Sequence, residues 1–405
     1  MTTPEASTKV YLPLRPKPAQ KEDPRAAMSE SEQTMYDEVL QHFSKEDPPY
    51  SIANVEKGEL SEQEKFWLSK ETILRYLRAS KWKVSVAIER IEATLKWRRE
   101  FGLNDTVNAA LVEPEAVTGK EVIFGYDTSG RPALYMIPSR QNTSESPRQV
   151  QHAVWMLERT IDLMEPGVET IALLINFADR GKNPSISTAR TVLNILQDHY
   201  PERLGISLII NIPFLINAFF KIIMPFVDPI TRQKVKFNPD VYKEGHFTAD
   251  NMMNQWWNGE QDFEYVHEKY WPALHELCET RVKAWKENWR NLGAKVGISE
   301  WEYKKGDEQK EYIGGEEEDK KENNANTIAA EAPVSAQVPT PEAPTNAQKE
   351  LTADPQTPLN EKKADDATAA TVAATSSAVV ATSGAGAVSG GSASGTDGAA
   401  DGGAE

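Results

Sequence analysis

The residue types that most often carry catalysis or bind metals are sparse in this chain and poorly spaced. Its six histidines show no metal-ligand spacing, and the single cysteine, Cys278, offers a zinc site no second thiolate. No Gly-x-Ser-x-Gly sequence occurs that would expose a nucleophilic serine on a strand-to-helix turn. Gly384, Gly386 and Gly390 lie in low-complexity sequence without a preceding strand, which indicates flexibility rather than a nucleotide loop. We therefore predict a protein that is not an enzyme and that uses no metal or cofactor.

The most unusual stretch lies between Pro213 and Val227. From Phe214 onward its only polar side chains are Asn217 and Lys221, which are four residues apart and would share one narrow stripe of a helix. Such a helix is about 21 Å long at ~1.5 Å per residue, too short for the ~30 Å hydrocarbon core of a bilayer. The residues alone leave two interpretations open. The segment is an ordinary buried helix, or it is a lid with one face on a lipid and the other able to touch a bilayer.

Apolar spacing predicts a helical N-terminal lobe at residues 31–110. A helix is expected from Ser31 to Phe43. A second begins at Ser61, which forms a capping box with Glu64, and its apolar positions continue as far as Leu77. A third runs from Val84 to Phe101 and ends at a glycine.

Strands and helices alternate through residues 111–295. The predicted strands are Glu121 to Tyr126 and Ala133 to Ile137, joined as a hairpin, then Thr170 to Phe177, Gly205 to Ile212 and Val235 to Phe237. The predicted helices are Pro147 to Met164, Thr188 to His199, a short helix that ends near Lys234, and Phe263 to Leu292. This alternation predicts an α/β fold with a mixed, mainly parallel sheet covered by helices.

Two tails flank this part. Residues 1–30 are polar and rich in proline, and residues 304–405 pass from an acidic run into sequence rich in Ala, Thr, Gly and Ser. Neither composition buries enough apolar surface to offset its ordering entropy, so both are predicted to be disordered. The net charge of −16 lies largely in the tails and gives no support to nucleic-acid binding. The chain shows no signal-peptide pattern and has one cysteine, which predicts a cytoplasmic location.

Positive charge is concentrated between Lys70 and Arg99, a segment that contains nine Lys or Arg residues and three Glu residues. One interpretation is a solvated helix face. The other is transient docking to anionic lipid headgroups on a membrane surface. The second interpretation rests on four side chains, Arg75, Arg78, Lys81 and Lys83.

Several motifs occur in an order that resembles the CRAL-TRIO family, and more closely the fungal Sec-fourteen-type phosphatidylinositol transfer proteins. The motifs are Leu74-Arg75-Tyr76-Leu77-Arg78-Ala79, Lys96-Trp97-Arg98, Tyr200-Pro201-Glu202-Arg203 and Pro225-Phe226-Val227-Asp228-Pro229. The resemblance implies a carrier that sequesters one lipid in an apolar pocket and exchanges it at membranes through a gating helix, here residues 213–227. The gate and acyl-pocket residues that it implies are Phe214, Leu215, Phe219, Phe220, Ile223 and Phe226.

The resemblance also implies a lipid-headgroup site made of Glu202, Thr231 and Lys234. Thr231 and Lys234 are three apart and share one face of the predicted short helix, where a hydroxyl and an ammonium can bind ring hydroxyls and a phosphate. The alternative is a structural ion pair with no ligand. The cargo implied is phosphatidylinositol, presented at intracellular membranes or lipid droplets, with lipid kinases as possible recipients.

Two departures from the family pattern refine this expectation. Ser80 stands where many members carry a third basic residue, which puts one headgroup or regulatory contact in doubt. Ile171 and Leu173 stand where phosphatidylcholine-binding members place hydroxyl side chains, and apolar residues there would leave a phosphocholine group unpaired. We therefore predict that phosphatidylcholine binding is lost and phosphatidylinositol binding is kept, with a sterol as a possible second cargo. The alternative function is a sterol-binding or lipid-sensing adaptor without net transfer.

Overall fold

Five helices make up the N-terminal lobe in a computed structural model that describes residues 9–14, 22–144, 146–179, 186–214 and 229–305. These helices are α1 (Glu30–Phe43), α2 (Glu62–Trp67), α3 (Lys70–Ala79), α4 (Val84–Phe101) and α5 (Ala109–Ala116). The predicted helical lobe is therefore confirmed. The predicted boundary at residue 110 cuts through α5, which begins at an Asn108 cap and packs on the next helix of the chain.

One predicted helix is in fact two. The capping box of Ser61 and Glu64 begins α2 as expected, but the helix ends at Trp67. Ser69 then accepts a hydrogen bond from the Thr72 amide at 3.1 Å and begins α3. An N-cap serine must leave the helical conformation, so the chain turns there although its apolar spacing continues.

The second part of the chain is built on a five-stranded sheet in the order β1 to β5. Its strands are β1 (Glu121–Tyr126), β2 (Pro132–Met136), β3 (Ile171–Asn176), β4 (Leu204–Ile210) and β5 (Val235–Phe237). The first pair is antiparallel and the other three pairs are parallel, so the prediction of a mixed, mainly parallel sheet is confirmed.

Helices connect and cover these strands. They are α6 (Ser146–Asp162), α7 (Ile186–His199), α8 (Pro229–Lys234), α9 (His267–Asn291) and the single turn α10 (Glu300–Tyr303). The lobe is joined to the sheet partly through α7: the imidazole of His199 stacks on the Trp97 indole with 4.2 Å between ring centroids. The Tyr76 hydroxyl also donates to the His199 carbonyl at 3.0 Å.

Contacts identify what covers each face of the sheet. His152 of α6 lies 3.7 Å from the carboxylate of Glu121, which pairs with Met136 across the hairpin. Helix α6 therefore covers the face that carries Met136 and, two residues earlier, Leu134. Tyr135 points the other way and donates to the Met252 sulfur at 3.0 Å, so the segment around Met252 covers the opposite face.

The predicted tails are shorter than expected. Val10 pairs with the backbone of residues 262 and 264 through hydrogen bonds of 3.0 and 2.9 Å, and Arg25 contacts the buried Glu169. At the other end, Lys304 is 4% exposed and donates to Glu300 at 2.7 Å. The prediction of disorder is therefore wrong for residues 9–14, 22–30 and 304. Long-range polar contacts hold the two N-terminal segments, and an ion pair within one helical turn holds Lys304.

No helix in the described ranges is long and apolar enough to cross a membrane. Within the same ranges, no three His, Cys, Asp or Glu side chains are grouped as ligands for a metal ion. Both statements apply to that part of the chain alone.

Candidate lipid-headgroup site

A tight turn between α7 and β4 presents the Glu202 side chain. Glu202 has a φ of +56°, a backbone conformation that is costly for residues with a Cβ. Its neighbours hold the turn in place: the Tyr200 hydroxyl donates to Glu158 at 2.5 Å, and Arg203 donates to the Glu169 carbonyl at 2.8 Å. Tyr200 and Arg203 are both buried, whereas the Glu202 side chain is one third exposed. The turn therefore anchors two side chains and leaves the carboxylate accessible.

Arg78, near the end of α3, links this turn to the helical lobe. Its Nε donates to Glu202 at 2.8 Å and its Nη2 donates to Glu169 at 2.9 Å. Burial alone would lower the pKa of Arg78, but the charges and hydrogen bonds of Glu169 and Glu202 outweigh burial and raise it. The ion pair that the structure gives Glu202 is thus with an arginine of the N-terminal lobe.

Several arginines gather around Glu169. This buried carboxylate contacts Arg25 and Arg78, and Arg75 Nη1 lies 3.7 Å away, while Arg203 is bonded to its backbone. Burial first and the charge of Arg75 second lower the pKa of Arg203 to about 10. The charges of Glu300, Glu169 and Glu158 offset only part of these two effects on the pKa of Arg203.

Lys234 lies at the same end of β4 as Glu202. It is the last residue of α8, and its Nζ donates to the carbonyl of Leu204, the first residue of β4, at 3.0 Å. The half-buried ammonium is therefore bonded to a residue only two positions beyond Glu202. Thr231 belongs to the same helix, and its side chain lies outside the described part of the structure.

Only one of the six predicted gate residues is described. Phe214 follows β4 and is 83% exposed, the largest exposure of any large apolar side chain in the described ranges. The other five predicted gate residues lie outside those ranges, together with most of the segment 213–227. They are Leu215, Phe219, Phe220, Ile223 and Phe226.

Ile171 and Leu173 lie on one face of β3. Leu173 is in register with Leu134 on one side and with Ser207 on the other. Both residues are therefore on the face that α6 covers, and both are 5% exposed within the apolar core. Neither side chain can donate or accept a hydrogen bond there.

Part of the predicted membrane-docking cluster is inside the protein. Arg75 is 2% exposed and donates to Thr72 at 3.1 Å, and Arg78 is bound to two carboxylates. The prediction that Arg75 meets a membrane surface is wrong, because Arg75 is buried, whereas the Arg78 side chain is 29% exposed and is paired with both carboxylates. Lys81 and Lys83 are exposed.

The sequence alone did not single out Glu169, the buried carboxylate that joins the arginines beside the candidate site. It lies two residues before the apolar run of β3, and a carboxylate at the entrance of a strand buried on both faces must find a cation. That position was the available signal. The cation could not be identified in the same way, because Arg78 is 91 residues away along the chain.

Comparisons with known proteins agree with this architecture. A family model for the CRAL/TRIO domain matches residues 116–256, and one for the CRAL/TRIO N-terminal domain matches residues 35–93. Phosphatidylinositol transfer protein PDR17 of Saccharomyces cerevisiae is 40% identical over 299 residues, which cover 68% of this chain and 84% of that protein. SEC14 cytosolic factor of Candida glabrata is 31% identical over 192 residues, 42% of this chain and 62% of that protein.

A longer relative matches only in part. CRAL-TRIO domain-containing protein C23B6.04c of Schizosaccharomyces pombe is 48% identical over 289 residues, which cover 71% of this chain but 28% of that protein. The similarity to PDR17 extends over most of that protein. The N-terminal family model matches ahead of the CRAL/TRIO model along the chain, as the positions of the motifs predicted. The chain belongs to the CRAL-TRIO family.

Proposed function

We propose that this protein is a phosphatidylinositol carrier that holds one lipid in an apolar pocket and exchanges it at membranes without catalysing a reaction. The observation that carries the proposal is the position of Glu202 and Lys234 at the start of β4, beside a cluster of arginines that includes Arg78. A phosphoinositol headgroup offers one phosphate charge for the cations and ring hydroxyls for the carboxylate. The name of PDR17, a phosphatidylinositol transfer protein, supports the same cargo.

The proposed gate, residues 213–227, would cover the acyl chains. Two chains of about fifteen carbons each cost more than roughly 20 kcal/mol if they are wetted, at ~0.8 kcal/mol per methylene. A carrier therefore has to match the apolar environment of a bilayer before the lipid can leave it. Phe214, which is largely exposed, stands at the start of this apolar segment.

Transfer of phosphatidylinositol between vesicles tests the headgroup site. We expect Lys234→Ala to lower the transfer rate at least tenfold, since it removes a cation proposed to bind the phosphate. The matched control is Lys243→Ala, because Lys243 is 86% exposed and pairs only with nearby Asp240 among the described residues. Equal transfer by the wild type and Lys234→Ala would remove the assigned site. Mass spectrometry of the lipid that co-purifies with the protein identifies the cargo independently.

We further propose that the apolar wall of β3 excludes phosphatidylcholine. The double variant Ile171→Ser with Leu173→Thr places hydroxyls on the face covered by α6 and should produce phosphatidylcholine transfer that the wild type lacks. The control for destabilisation is the double variant Ala172→Ser with Leu174→Thr, which places the same hydroxyls on the opposite face of β3. Efficient phosphatidylcholine transfer by the wild type would contradict this proposal.

A second candidate function is a sterol-binding or lipid-sensing adaptor without net transfer. The apolar side chains of Ile171 and Leu173 favour it, because a sterol presents little polar surface to the wall of a pocket. A sterol as the main co-purified lipid would support this candidate. A chain truncated after Lys305 separates the two functions in cells. An adaptor that works through its tail loses function with transfer intact, whereas a carrier retains both.

We propose a cytoplasmic location with transient contact to intracellular membranes or lipid droplets, where lipid kinases could use the delivered lipid. Lys81 and Lys83 are the members of the basic cluster exposed for such contact. Vesicle flotation of Lys81→Glu with Lys83→Glu tests their role. Binding to anionic vesicles should fall severalfold and should lose its salt dependence.

A further inference from the structure

A second polar site lies at the carboxyl end of the parallel strands, opposite the end that carries Glu202. A surface groove of about 620 Å³ is lined by Arg140, Thr118, Asn254, Gln255 and the ion-paired Lys9, among others. Arg140 follows the carboxyl end of β2, whereas Glu202 precedes the amino end of β4. Both strands are parallel to β3, which lies between them, so the two sites lie at opposite ends of the parallel strands.

Arg140 is a half-buried cation that forms no ion pair with any described carboxylate. One Nη donates to the Gly119 carbonyl at 3.2 Å, and the guanidinium carbon lies 5.5 Å from the centre of the Trp256 ring. No carboxylate of a described residue is within 4.0 Å of its nitrogens. Burial lowers the pKa of Arg140, and the more distant Asp179 and Tyr265 offset only part of that effect.

The other charged groups of the groove are one ammonium and two carboxylates. Lys9 Nζ lies 3.0 Å from Asp262 and 3.6 Å from Glu264, and all three are surface groups. Both carboxylates are therefore close to the ammonium of Lys9, and neither forms an ion pair with Arg140. Among the described residues of the groove, Arg140 is the cation that has no carboxylate within 4.0 Å.

The backbone presets the position of this guanidinium. Arg140 ends a short 3₁₀ turn, Pro138–Arg140, in which its amide donates to Ile137 at 3.0 Å. The Thr118 hydroxyl donates to the Arg140 carbonyl at 2.7 Å. A guanidinium held on a fixed turn loses little conformational entropy when it binds a ligand.

We propose that this groove binds a phosphate group through Arg140. A guanidinium presents a planar fork of N–H donors, and the Gly119 carbonyl occupies only one of them, which leaves a pair free for two phosphate oxygens. The exposed amides of Asn254 and Gln255 can donate to further oxygens. The phosphate belongs either to the headgroup of an anionic membrane lipid or to a soluble phosphate compound.

The test uses the full chain with two probes. Calorimetry measures binding of inorganic phosphate, and flotation measures binding to phosphatidylcholine vesicles with and without phosphatidic acid. We expect Arg140→Gln to weaken binding at least tenfold and Arg140→Lys, which keeps the charge but loses the fork, to weaken it severalfold. The control is Arg290→Gln, because Arg290 is half exposed and already paired with Glu62, so it should bind like the wild type.

The two probes separate the sources of the phosphate. Arg140-dependent binding of inorganic phosphate indicates a soluble ligand, and Arg140-dependent flotation alone indicates a lipid headgroup. Equal binding by the wild type and Arg140→Gln, or no binding of either probe by the wild type, overturns the proposal. Phosphatidylinositol transfer should be unchanged in Arg140→Gln. Failure of this groove would therefore be distinct from failure of the site at Glu202 and Lys234.

Discussion

Replacing Glu169 by glutamine tests whether this carboxylate holds the N-terminal lobe on the sheet. The substitution keeps the size of the side chain but removes the negative charge shared by Arg25, Arg75 and Arg78. Removing one partner of a buried ion pair costs about 3–5 kcal/mol, because the remaining charge is left without compensation. Arg75 is 2% exposed and cannot turn to water, so we expect a loss near the upper end, roughly 5 kcal/mol.

Urea unfolding monitored by tryptophan fluorescence measures this loss, and Glu165→Gln is its matched control. Glu165 is also buried, but it pairs with a single arginine, Arg281, at 2.9 Å. We expect the control to lose about 3 kcal/mol, clearly less than Glu169→Gln. The reasoning is refuted if Glu169→Gln loses less than about 1 kcal/mol or loses less than the control.

Two further predictions concern acid stability and backbone geometry. Burial would raise the pKa of Glu158, but the charge and hydrogen bonds of Arg98 outweigh burial and lower this pKa from 4.5 to about 2. The ion pair therefore stabilises the fold fully above pH 4.5. Its contribution of ~3 kcal/mol is lost as the pH falls towards 2. Unfolding measured across that range should show a shallower acid decline in Glu158→Gln. Gly125 and Gly245 both have a φ of +72°, but a Cβ on Gly125 would lie 2.0 Å from the Asn251 carbonyl oxygen, whereas nothing lies within 4 Å of one on Gly245. Gly245→Ala should therefore cost about 1 kcal/mol of backbone strain, and Gly125→Ala should cost at least ~2 kcal/mol more in the same unfolding assay.

Local signals predicted most of the fold. The apolar spacing of α4 and the glycine after it fixed that helix, since Gly102 has a φ of +79° and ends it in the left-handed conformation. The continuous apolar runs gave β3 and β4 to within two residues. The break between α2 and α3 was missed because it depends on one serine, Ser69, that caps a new helix while the apolar spacing continues across it.

The site was harder to predict, because charges reveal their sign in a sequence but not their partners. The sequence predicted Arg75 and Arg78 to be surface cations, like the neighbouring lysines. The carboxylate that they contact, Glu169, lies more than ninety residues further along the chain. Arg25 read as part of a disordered tail for the same reason. Glu202 and Lys234 were proposed as headgroup residues through the resemblance of their motifs to a family, since neither residue stands out by composition, and their role stays a prediction.

The contacts of Glu202 have a consequence for the proposed carrier. Arg78 bonds both Glu202 and Glu169, and Glu169 also binds Arg25 of the N-terminal segment. In the proposed carrier, a headgroup hydroxyl bound by Glu202 competes with Arg78 for this carboxylate, so lipid binding alters how Arg78 is shared between Glu202 and Glu169. Linkage then requires reciprocity: if the lipid alters the docking free energy of the Arg25 segment, removal of the Arg25 side chain alters lipid affinity by the same coupling. In the proposed carrier, the helical lobe is therefore part of the headgroup site.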